Sequence, residues 1–289
     1  MGTEMALDYQ ALLDEMVDLA KHAGDEIMAI YRDCCSNGCA DATTKSDGSP
    51  VTRADNLADE VIRSRLSLWC QTQGLSLPLV SEECQESHLQ VPCEEKMIDQ
   101  SDAFFLIDPL DGTKEFAKLD DKGAFTVNIA LIESRRPTLG VVYAPALSRL
   151  FAGGICNRPE CAIPAFELCA DGERRLLHAL PRSREGLTAV ASVSHRDSET
   201  EKWLSDHAVD ETISVGSSLK FCLLAAGEAD VYPRFSPTME WDTAAGQAIL
   251  EAAGGRVCHP DGSDFHYQKP ELKNGPFVAW SCGSREPNP

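Results

Sequence analysis

The sequence has no long uninterrupted run of apolar residues and is short of basic residues. Nowhere in its 289 residues is there the stretch of roughly 20 apolar residues that a membrane-spanning helix requires. Lysine and arginine number 26 against 46 aspartates and glutamates, so the formal net charge is −20. Non-specific nucleic-acid binding needs clustered basic residues, so this balance excludes a nucleic-acid coat protein or a basic membrane-surface module. We therefore expect no integral membrane segment and no nucleic-acid polymer as a partner.

The chain also lacks the basic start of a secretory signal peptide and the paired cysteines of a structural zinc site. Glu4, Asp8, Asp14 and Glu15 lie near the N-terminus, where a signal peptide would carry lysine or arginine. This pattern predicts a cytoplasmic protein. None of the 12 cysteines forms a CxxC pair, and we interpret them as reduced, partly buried thiols.

Apolar residues instead recur at helical and strand spacings in the first half of the chain. Spacings of three and four predict a long amphipathic helix from Ala6 to Arg32, and Thr52 is a plausible N-cap for a second helix. Short apolar runs predict four strands, at 77–80, 103–107, 125–132 and 138–143, with a hairpin between the last two. This half is expected to be an α+β domain spanning residues 1–155.

Strands alternate with helices in the second half, which indicates an α/β arrangement for residues 156–289. The stretch from Asn157 to Glu185 is weakly patterned, which places the predicted domain boundary near residue 155. Strands are predicted at 187–193 and 229–232, and helices at 199–207, 217–226 and 241–253. The glycines Gly254 and Gly255 fit the end of the last helix.

Acidic residues cluster where these predicted elements begin or end. The most informative cluster follows the strand at 103–107: Asp108 and Asp111 flank a proline-containing turn that can aim two carboxylates at one point. Gly112 lets the backbone approach a ligand closely, and Thr113 supplies a hydroxyl. Hard oxygen ligands that converge in this way suit Mg²⁺, which also coordinates phosphate oxygens of a substrate. Taken alone, the same residues would be an ordinary surface turn.

The full string Asp-Pro-x-Asp-Gly-Thr, Asp108–Thr113, is harder to explain by chance. A motif with five fixed residues would occur by chance in a chain of this length with a probability on the order of 10⁻⁴. On this motif, the Glu82-Glu83 pair upstream and the string Trp241-Asp-Thr-Ala-Ala-Gly246 downstream, the sequence resembles the inositol monophosphatase superfamily. Its members are Mg²⁺-dependent, lithium-sensitive phosphatases.

Within that superfamily the sequence is most similar to the CysQ-type 3′(2′),5′-bisphosphate nucleotidases. Four segments carry this resemblance, which runs from about residue 12 to 280: Lys45–Thr52, Asp108–Phe116, Gly216–Cys222 and Tyr232–Arg234. It implies the layered αβαβα sandwich of the inositol monophosphatase and sugar phosphatase type. It also implies removal of the 3′-phosphate from adenosine 3′,5′-bisphosphate, with 3′-phosphoadenosine 5′-phosphosulfate as a second substrate.

The resemblance further implies a role for individual residues around two or three Mg²⁺ ions. Asp55 and Thr113 would position and deprotonate the attacking water. The implied metal ligands are Glu82, Asp108, the main-chain carbonyl of Leu110, Asp111 and Asp242, with Glu83 as a neighbour. The implied substrate-binding residues are Gly112, Thr113, His195, Ser217, Lys220, Arg234 and Asp242.

Without the resemblance, several of these residues have simpler explanations. A lysine in an apolar helix, as Lys220 is, commonly extends its amine to solvent. His195 could be a solvated loop histidine, and Asp55 an acid favoured in the first turn of a helix.

Two other functions stay open at this point. An inositol monophosphatase or inositol polyphosphate 1-phosphatase would share the metal chemistry but bind a polyol. A protein of another class, a non-catalytic metal-binding sensor, would keep the carboxylates without turnover. The partner is in each case a small molecule or ion, and the protein itself is expected to be a monomer or homodimer.

Overall fold

The computed structural model describes residues 7–37, 43–44, 50–51, 53–85, 98, 101–119, 123–155, 162–179, 186–192, 197–207 and 209–281. Within these ranges there are six α-helices: α1 Tyr9–Asn37, α2 Arg53–Thr72, α3 Thr113–Ala117, α4 Ser198–Asp206, α5 Leu219–Ala225 and α6 Ala244–Ala252. The strands are β1 Thr43–Thr44, β2 Pro50–Val51, β3 Leu79–Ser81, β4 Ala103–Asp111, β5 Thr126–Glu133, β6 Arg136–Ala144, β7 Arg149–Gly154, β8 Ile163–Leu168, β9 Arg174–Leu176, β10 Leu187–Ala191, β11 Val209–Ser214, β12 Val231–Arg234, β13 Thr238–Met239, β14 Arg256–Cys258, β15 Lys273–Asn274 and β16 Phe277–Trp280.

Two sheets separate three layers of helices. Among the described strands, seven form the larger sheet in the order β3-β4-β5-β6-β7-β8-β9, and five form the smaller one in the order β11-β10-β12-β16-β14. Helices α1 and α2 pack on the outer face of the larger sheet, α5 and α6 lie between the sheets, and α4 packs on the outer face of the smaller sheet. This arrangement confirms the predicted layered αβαβα sandwich.

The two N-terminal helices form where their apolar spacing predicts them. Leu12, Met16 and Ala23 of α1 are completely buried against the larger sheet. Helix α1 extends beyond the predicted end at Arg32 and reaches Asn37, whereas α2 begins at Arg53. The proposed N-cap Thr52 lies outside the described residues. None of the described helices is long and apolar enough to span a bilayer.

Strand β4 is longer than its apolar run predicts and contains the acidic motif instead of ending before it. It pairs with β5 from Ala103 to Asp111, and the register shifts between Asp108 and Asp111. A proline in a strand is accommodated at such an irregularity, because its missing N–H breaks no regular ladder hydrogen bond. The bulge therefore lets the strand deliver two carboxylates from a rigid sheet.

The chain after residue 155 contains more strands than predicted, including β11, β14 and β16 of the smaller sheet. Strands β8 and β9 lie inside the stretch predicted to be weakly patterned, and they extend the larger sheet beyond β7. Residues from both halves, such as Phe104 and Ile249, share the core between the sheets. The division into domains at residue 155 stays a prediction. Helix α6 begins at Ala244 and not at Trp241, so Asp242 lies in the turn before it.

Five of the described cysteines form no disulfide, as expected for reduced thiols: Cys35, Cys70, Cys169, Cys222 and Cys258. The expectation is wrong for Cys34, near the end of α1, which is disulfide-bonded. Burial raises the pKa of the Cys70 thiol to about 11, so this side chain is a packing residue and not a nucleophile.

Candidate metal and phosphate site

A cavity of about 290 Å³ is lined by residues from both sheets. It receives side chains from the end of β4, from α3, from the first turn of α5, from β12 and from the turn that precedes α6. Ten of the twelve residues predicted for the site line it: Glu82, Asp108, Leu110, Asp111, Gly112, Thr113, Ser217, Lys220, Arg234 and Asp242. Asp55 lies behind Thr113, and His195 falls outside the described residues.

One side of the cavity, which we call the acidic wall, consists of Glu82, Asp108, Asp111 and Asp242. Glu82 begins the short 3₁₀ helix Glu82–Gln85 that follows β3, and β3 pairs in parallel with β4. Strand pairing therefore brings Glu82 to the same end of the sheet as the two aspartates of β4. Asp108 is only 1% exposed, and its Oδ1 accepts a hydrogen bond from the Leu110 main-chain N at 3.1 Å.

Gly112 closes the motif with a backbone conformation that favours glycine. Its φ is +93°, in the left-handed region, and a Cβ there would lie 3.2 Å from the main-chain oxygen of Ala124. The next residue, Thr113, begins α3. The chain thus turns sharply from strand to helix directly beside the carboxylates.

Ser218 joins two aspartates of the acidic wall that come from different elements, Asp111 from the end of β4 and Asp242 from the turn before α6. Its main-chain N and its Oγ lie 2.6 and 2.9 Å from Asp111 Oδ2, and its Oγ lies 2.7 Å from the main-chain oxygen of Asp242. Asn128 Nδ2 donates to the same Oγ at 2.9 Å. Sequence reasoning selected the neighbouring Ser217 and missed Ser218, because these contacts join residues far apart along the chain.

Thr113 and Asp55 form the pair that the resemblance implies for the attacking water. Thr113 Oγ1 lies 3.2 Å from Asp55 Oδ1 and 3.2 Å from the main-chain oxygen of Leu110. Asp55 is on the first turn of α2 and only 2% exposed, so it is more than a surface acid favoured by the helix dipole. The arrangement gives the threonine hydroxyl an acceptor for its proton.

A second part of the cavity lining, which we call the basic wall, consists of Lys220, Tyr232 and Arg234. Lys220 does not extend to solvent: it is 3% exposed, and its Nζ donates to the Ser217 main-chain oxygen at 2.5 Å. The ammonium also lies 5.3 Å from the centre of the Tyr232 ring. Arg234 Nη1 lies 3.5 Å from the Tyr232 hydroxyl oxygen. Tyr232 therefore contacts both cations.

Burial and neighbouring charges shift the pKa values of one group in each wall, Asp242 and Arg234. Loss of hydration, together with the charges of Asp111 and Glu82, raises the pKa of Asp242 above its ordinary value. Burial disfavours the charged form of Arg234, but Tyr232, Asp242 and Asp111 outweigh it and raise the pKa of the guanidinium. The acidic wall is thus electrostatically strained, and a bound cation would relieve that strain.

The donor set of the acidic wall fits Mg²⁺. Four carboxylates and the main-chain carbonyl of Leu110 supply hard oxygen atoms, the ligands that Mg²⁺ prefers. In the described part of the chain no three acidic, histidine or cysteine side chains stand as a preformed metal cage. Two of the oxygens instead accept protein hydrogen bonds: Asp111 Oδ2 from Ser218, and Asp242 Oδ2 from the Met239 main-chain N at 2.9 Å.

Comparison with known proteins identifies relatives along almost the whole chain. Residues 8–281 match the model of the inositol monophosphatase family. The protein named 3′(2′),5′-bisphosphate nucleotidase CysQ from Escherichia coli (strain K12) is 40% identical over 258 residues, covering 89% of this chain and 94% of that protein. Its namesake from Shigella flexneri is equally similar, with the same coverage.

Solved structures show the same architecture. The crystal structure of CysQ from Bacteroides thetaiotaomicron, a bacterial member of the inositol monophosphatase family, matches with a TM-score of 0.72 and 35% identity. The match covers 93% of this chain and 96% of that one. An inositol monophosphatase from Thermotoga maritima matches with a TM-score of 0.71 at 22% identity, over 93% and 91% of the two chains, and so shares the fold.

Proposed function

This chain belongs to the inositol monophosphatase family, and from that premise we propose that it is a Mg²⁺-dependent 3′(2′),5′-bisphosphate nucleotidase. It removes the 3′-phosphate of adenosine 3′,5′-bisphosphate and releases AMP and phosphate, with 3′-phosphoadenosine 5′-phosphosulfate as a second substrate. The names of its 40% identical relatives support this activity. The observation that carries the proposal is one cavity lined by both the acidic wall and the basic wall.

The acidic wall is proposed to hold the metal. Glu82, Asp108, Asp111, Asp242 and the carbonyl of Leu110 are the proposed ligands, for two or three ions. When bound, Mg²⁺ neutralises phosphoryl oxygens, lowers the pKa of water and stabilises the leaving oxygen. Without that positive charge, the carboxylates would repel a phosphate ester from the cavity.

Thr113 and Asp55 are proposed to activate the attacking water. The water gives a proton to Thr113 Oγ1, and the threonine hydroxyl passes its own proton to Asp55 Oδ1, 3.2 Å away. The resulting hydroxide attacks phosphorus, and the bond to the 3′-oxygen breaks. A positioned acid–base pair of this kind contributes about 10²- to 10⁴-fold in rate.

The basic wall is proposed to bind the second phosphate and the nucleoside. Lys220 and Arg234 supply two positive charges to a cavity whose other charged groups are mostly acidic. The rings of Phe221 and Tyr232, which also line the cavity, supply flat apolar surface for a base. Ser217, Gly112 and His195 remain proposed substrate contacts.

The test is phosphate release from a substrate panel with and without Mg²⁺. Adenosine 3′,5′-bisphosphate should be hydrolysed much faster than inositol 1-phosphate, only with the divalent cation present, and Li⁺ should inhibit. A large preference for the inositol ester would replace the assignment with an inositol phosphatase. Metal binding without any turnover would favour a sensor. Action in the cytoplasm, as a monomer or homodimer, remains part of the proposal.

A further inference from the structure

A buried polar network lies behind the turn that carries Asp242 into the cavity. This segment, which we call the 238–243 turn, joins β13 to α6 and places Met239, Trp241 and Asp242 on the cavity lining. Asn274, on β15, pairs with Thr238 in the two-stranded sheet formed by β13 and β15. Its side chain lies inside the protein, with the residue 2% exposed.

The side-chain amide of Asn274 contacts both ends of the 238–243 turn. Its Nδ2 lies 3.2 Å from Thr238 Oγ1 and 2.9 Å from the main-chain oxygen of Met239, at the start of the turn. The same nitrogen lies 2.9 Å from Thr243 Oγ1, at its end. All three partners are acceptors here, so the contacts depend on the N–H groups of an amide.

The far side of the turn is held independently of Asn274. Both carboxylate oxygens of the fully buried Glu240 accept main-chain hydrogen bonds, from Gln268 at 2.8 Å and Lys269 at 2.9 Å. Thr243 Oγ1 also lies 3.1 Å from the Tyr267 hydroxyl, which donates to Gln247 at 2.8 Å. The middle and end of the turn therefore have other contacts, whereas its start is held by main-chain pairing with β15 and by the side-chain amide of Asn274.

Met239 transmits this restraint to the acidic wall. Its main-chain oxygen accepts from Asn274, and its main-chain N donates to Asp242 Oδ2 at 2.9 Å. From this geometry we infer that Asn274 is a positioning residue for Asp242, setting the direction of its carboxylate through Met239. The inference rests on the proposed function in one respect, that Asp242 is a metal ligand. Residues that orient a metal ligand affect metal affinity without touching the ion.

Two substitutions separate this role from a purely structural one. Asn274→Asp keeps the size of the side chain but replaces the N–H donors with an acceptor. Asn274→Ala removes the amide altogether. Leu204→Ala is the control. Leu204 is a buried residue of α4 that packs against the outer face of the smaller sheet, and it does not line the cavity. The substitution should lower the melting temperature without touching the 238–243 turn.

The first measurement is Mn²⁺ binding by electron paramagnetic resonance, without substrate. Both Asn274 variants should bind Mn²⁺ about tenfold more weakly than wild type. This is the lower end of the loss in metal affinity that is usual when a residue that orients a metal ligand is replaced. Leu204→Ala should bind as wild type does. Wild-type Mn²⁺ affinity in folded Asn274→Asp or Asn274→Ala would overturn the inference, as would equal weakening in Leu204→Ala.

The second measurement is the Mg²⁺ dependence of phosphate release. The Asn274 variants should need about tenfold more Mg²⁺ for half-maximal rate and should recover most of kcat when Mg²⁺ is raised. Leu204→Ala, which is expected to lower stability alone, should keep the wild-type Mg²⁺ dependence. If wild type bound Mn²⁺ but did not hydrolyse adenosine 3′,5′-bisphosphate, the proposed function would fail, and the Mn²⁺ titration would still decide the role of Asn274.

Discussion

The two walls of the cavity are built on opposite principles. The acidic wall comes largely from one end of the larger sheet, and burial together with the charges of Asp111 and Glu82 raises the pKa of Asp242. The basic wall comes from α5 and β12, and its Lys220 donates to main-chain oxygens while Tyr232 lies beside both cations. The acidic wall therefore needs a bound cation to offset its negative charge, whereas the cations of the basic wall already have hydrogen-bond acceptors within the protein.

This contrast suggests a division of work that substitutions can test. If the acidic wall acts on the reacting phosphate through the metal, as proposed, changes in it should mainly lower kcat. If the basic wall holds a part of the substrate that does not react, as proposed, changes in it should mainly raise KM.

The largest effect is expected for Asp108→Asn in the acidic wall. The substitution keeps size and most packing but removes the charge of a carboxylate that is 1% exposed. We expect kcat for adenosine 3′,5′-bisphosphate to fall on the order of 10³-fold, as for loss of a central electrostatic group. Circular dichroism should show an unchanged fold, and undiminished turnover would contradict the proposed role of the wall.

Thr113→Ala should have the next largest effect, a loss of about 10²- to 10³-fold in kcat with KM little changed. The matched control is Thr113→Ser, which keeps the hydroxyl that lies 3.2 Å from Asp55. Steady-state phosphate release should show the serine variant close to wild type. Equal loss in both variants would assign Thr113 to packing and not to proton transfer.

A change in the basic wall should give a different signature. Arg234→Gln removes a guanidinium but keeps a polar side chain, so we expect KM for adenosine 3′,5′-bisphosphate to rise about 10- to 100-fold, the value of a charged hydrogen bond. Adenosine 3′-monophosphate, which lacks the second phosphate, serves as the control and should be hardly affected. Equal changes in KM for the two substrates would contradict the proposed division of roles between the walls.

The smallest effect is expected for Ser218→Ala, a change in the residue that links Asp111 and Asp242 within the acidic wall. Loss of its hydroxyl takes an acceptor from Asn128 and a donor from Asp111, which should lower the free energy of unfolding by about 1–3 kcal/mol. Ser217→Ala is the control, since its Oγ has only a long contact, 3.4 Å from the Leu219 N. Urea unfolding measures both, and identical stabilities would contradict the bridging role.

How far the sequence predicts this site depends on how local each signal is. Asp108, Asp111, Gly112 and Thr113 are contiguous, so the motif indicates chemistry before any fold is known. Ser218 and Asn274 act through contacts with residues 107 and 31 positions away, which no local pattern encodes. Their roles emerge only when the two sheets are packed together.

The fold shows the same dependence on buried, periodic patterns. Helix α1 and strand β4 bury most of their apolar residues, and the sequence predicts the helix from its apolar spacing and residues 103–107 of the strand from their apolar run. Strand β9 is exposed along its length at the edge of the larger sheet, so it carries no apolar alternation. The start of α6 was misplaced because the apolar Trp241 and Ala244 flank a turn that hydrophobicity cannot distinguish from a helix.

The central claim is that distant carboxylates meet in one cavity to bind a divalent cation. Anomalous X-ray scattering from crystals soaked in Mn²⁺ tests it most directly. The account predicts Mn²⁺ in contact with oxygen atoms of Asp108, Asp111 and Asp242, with Glu82 beside them. Manganese bound elsewhere on the chain, with this cavity free of metal at saturating concentration, would contradict it.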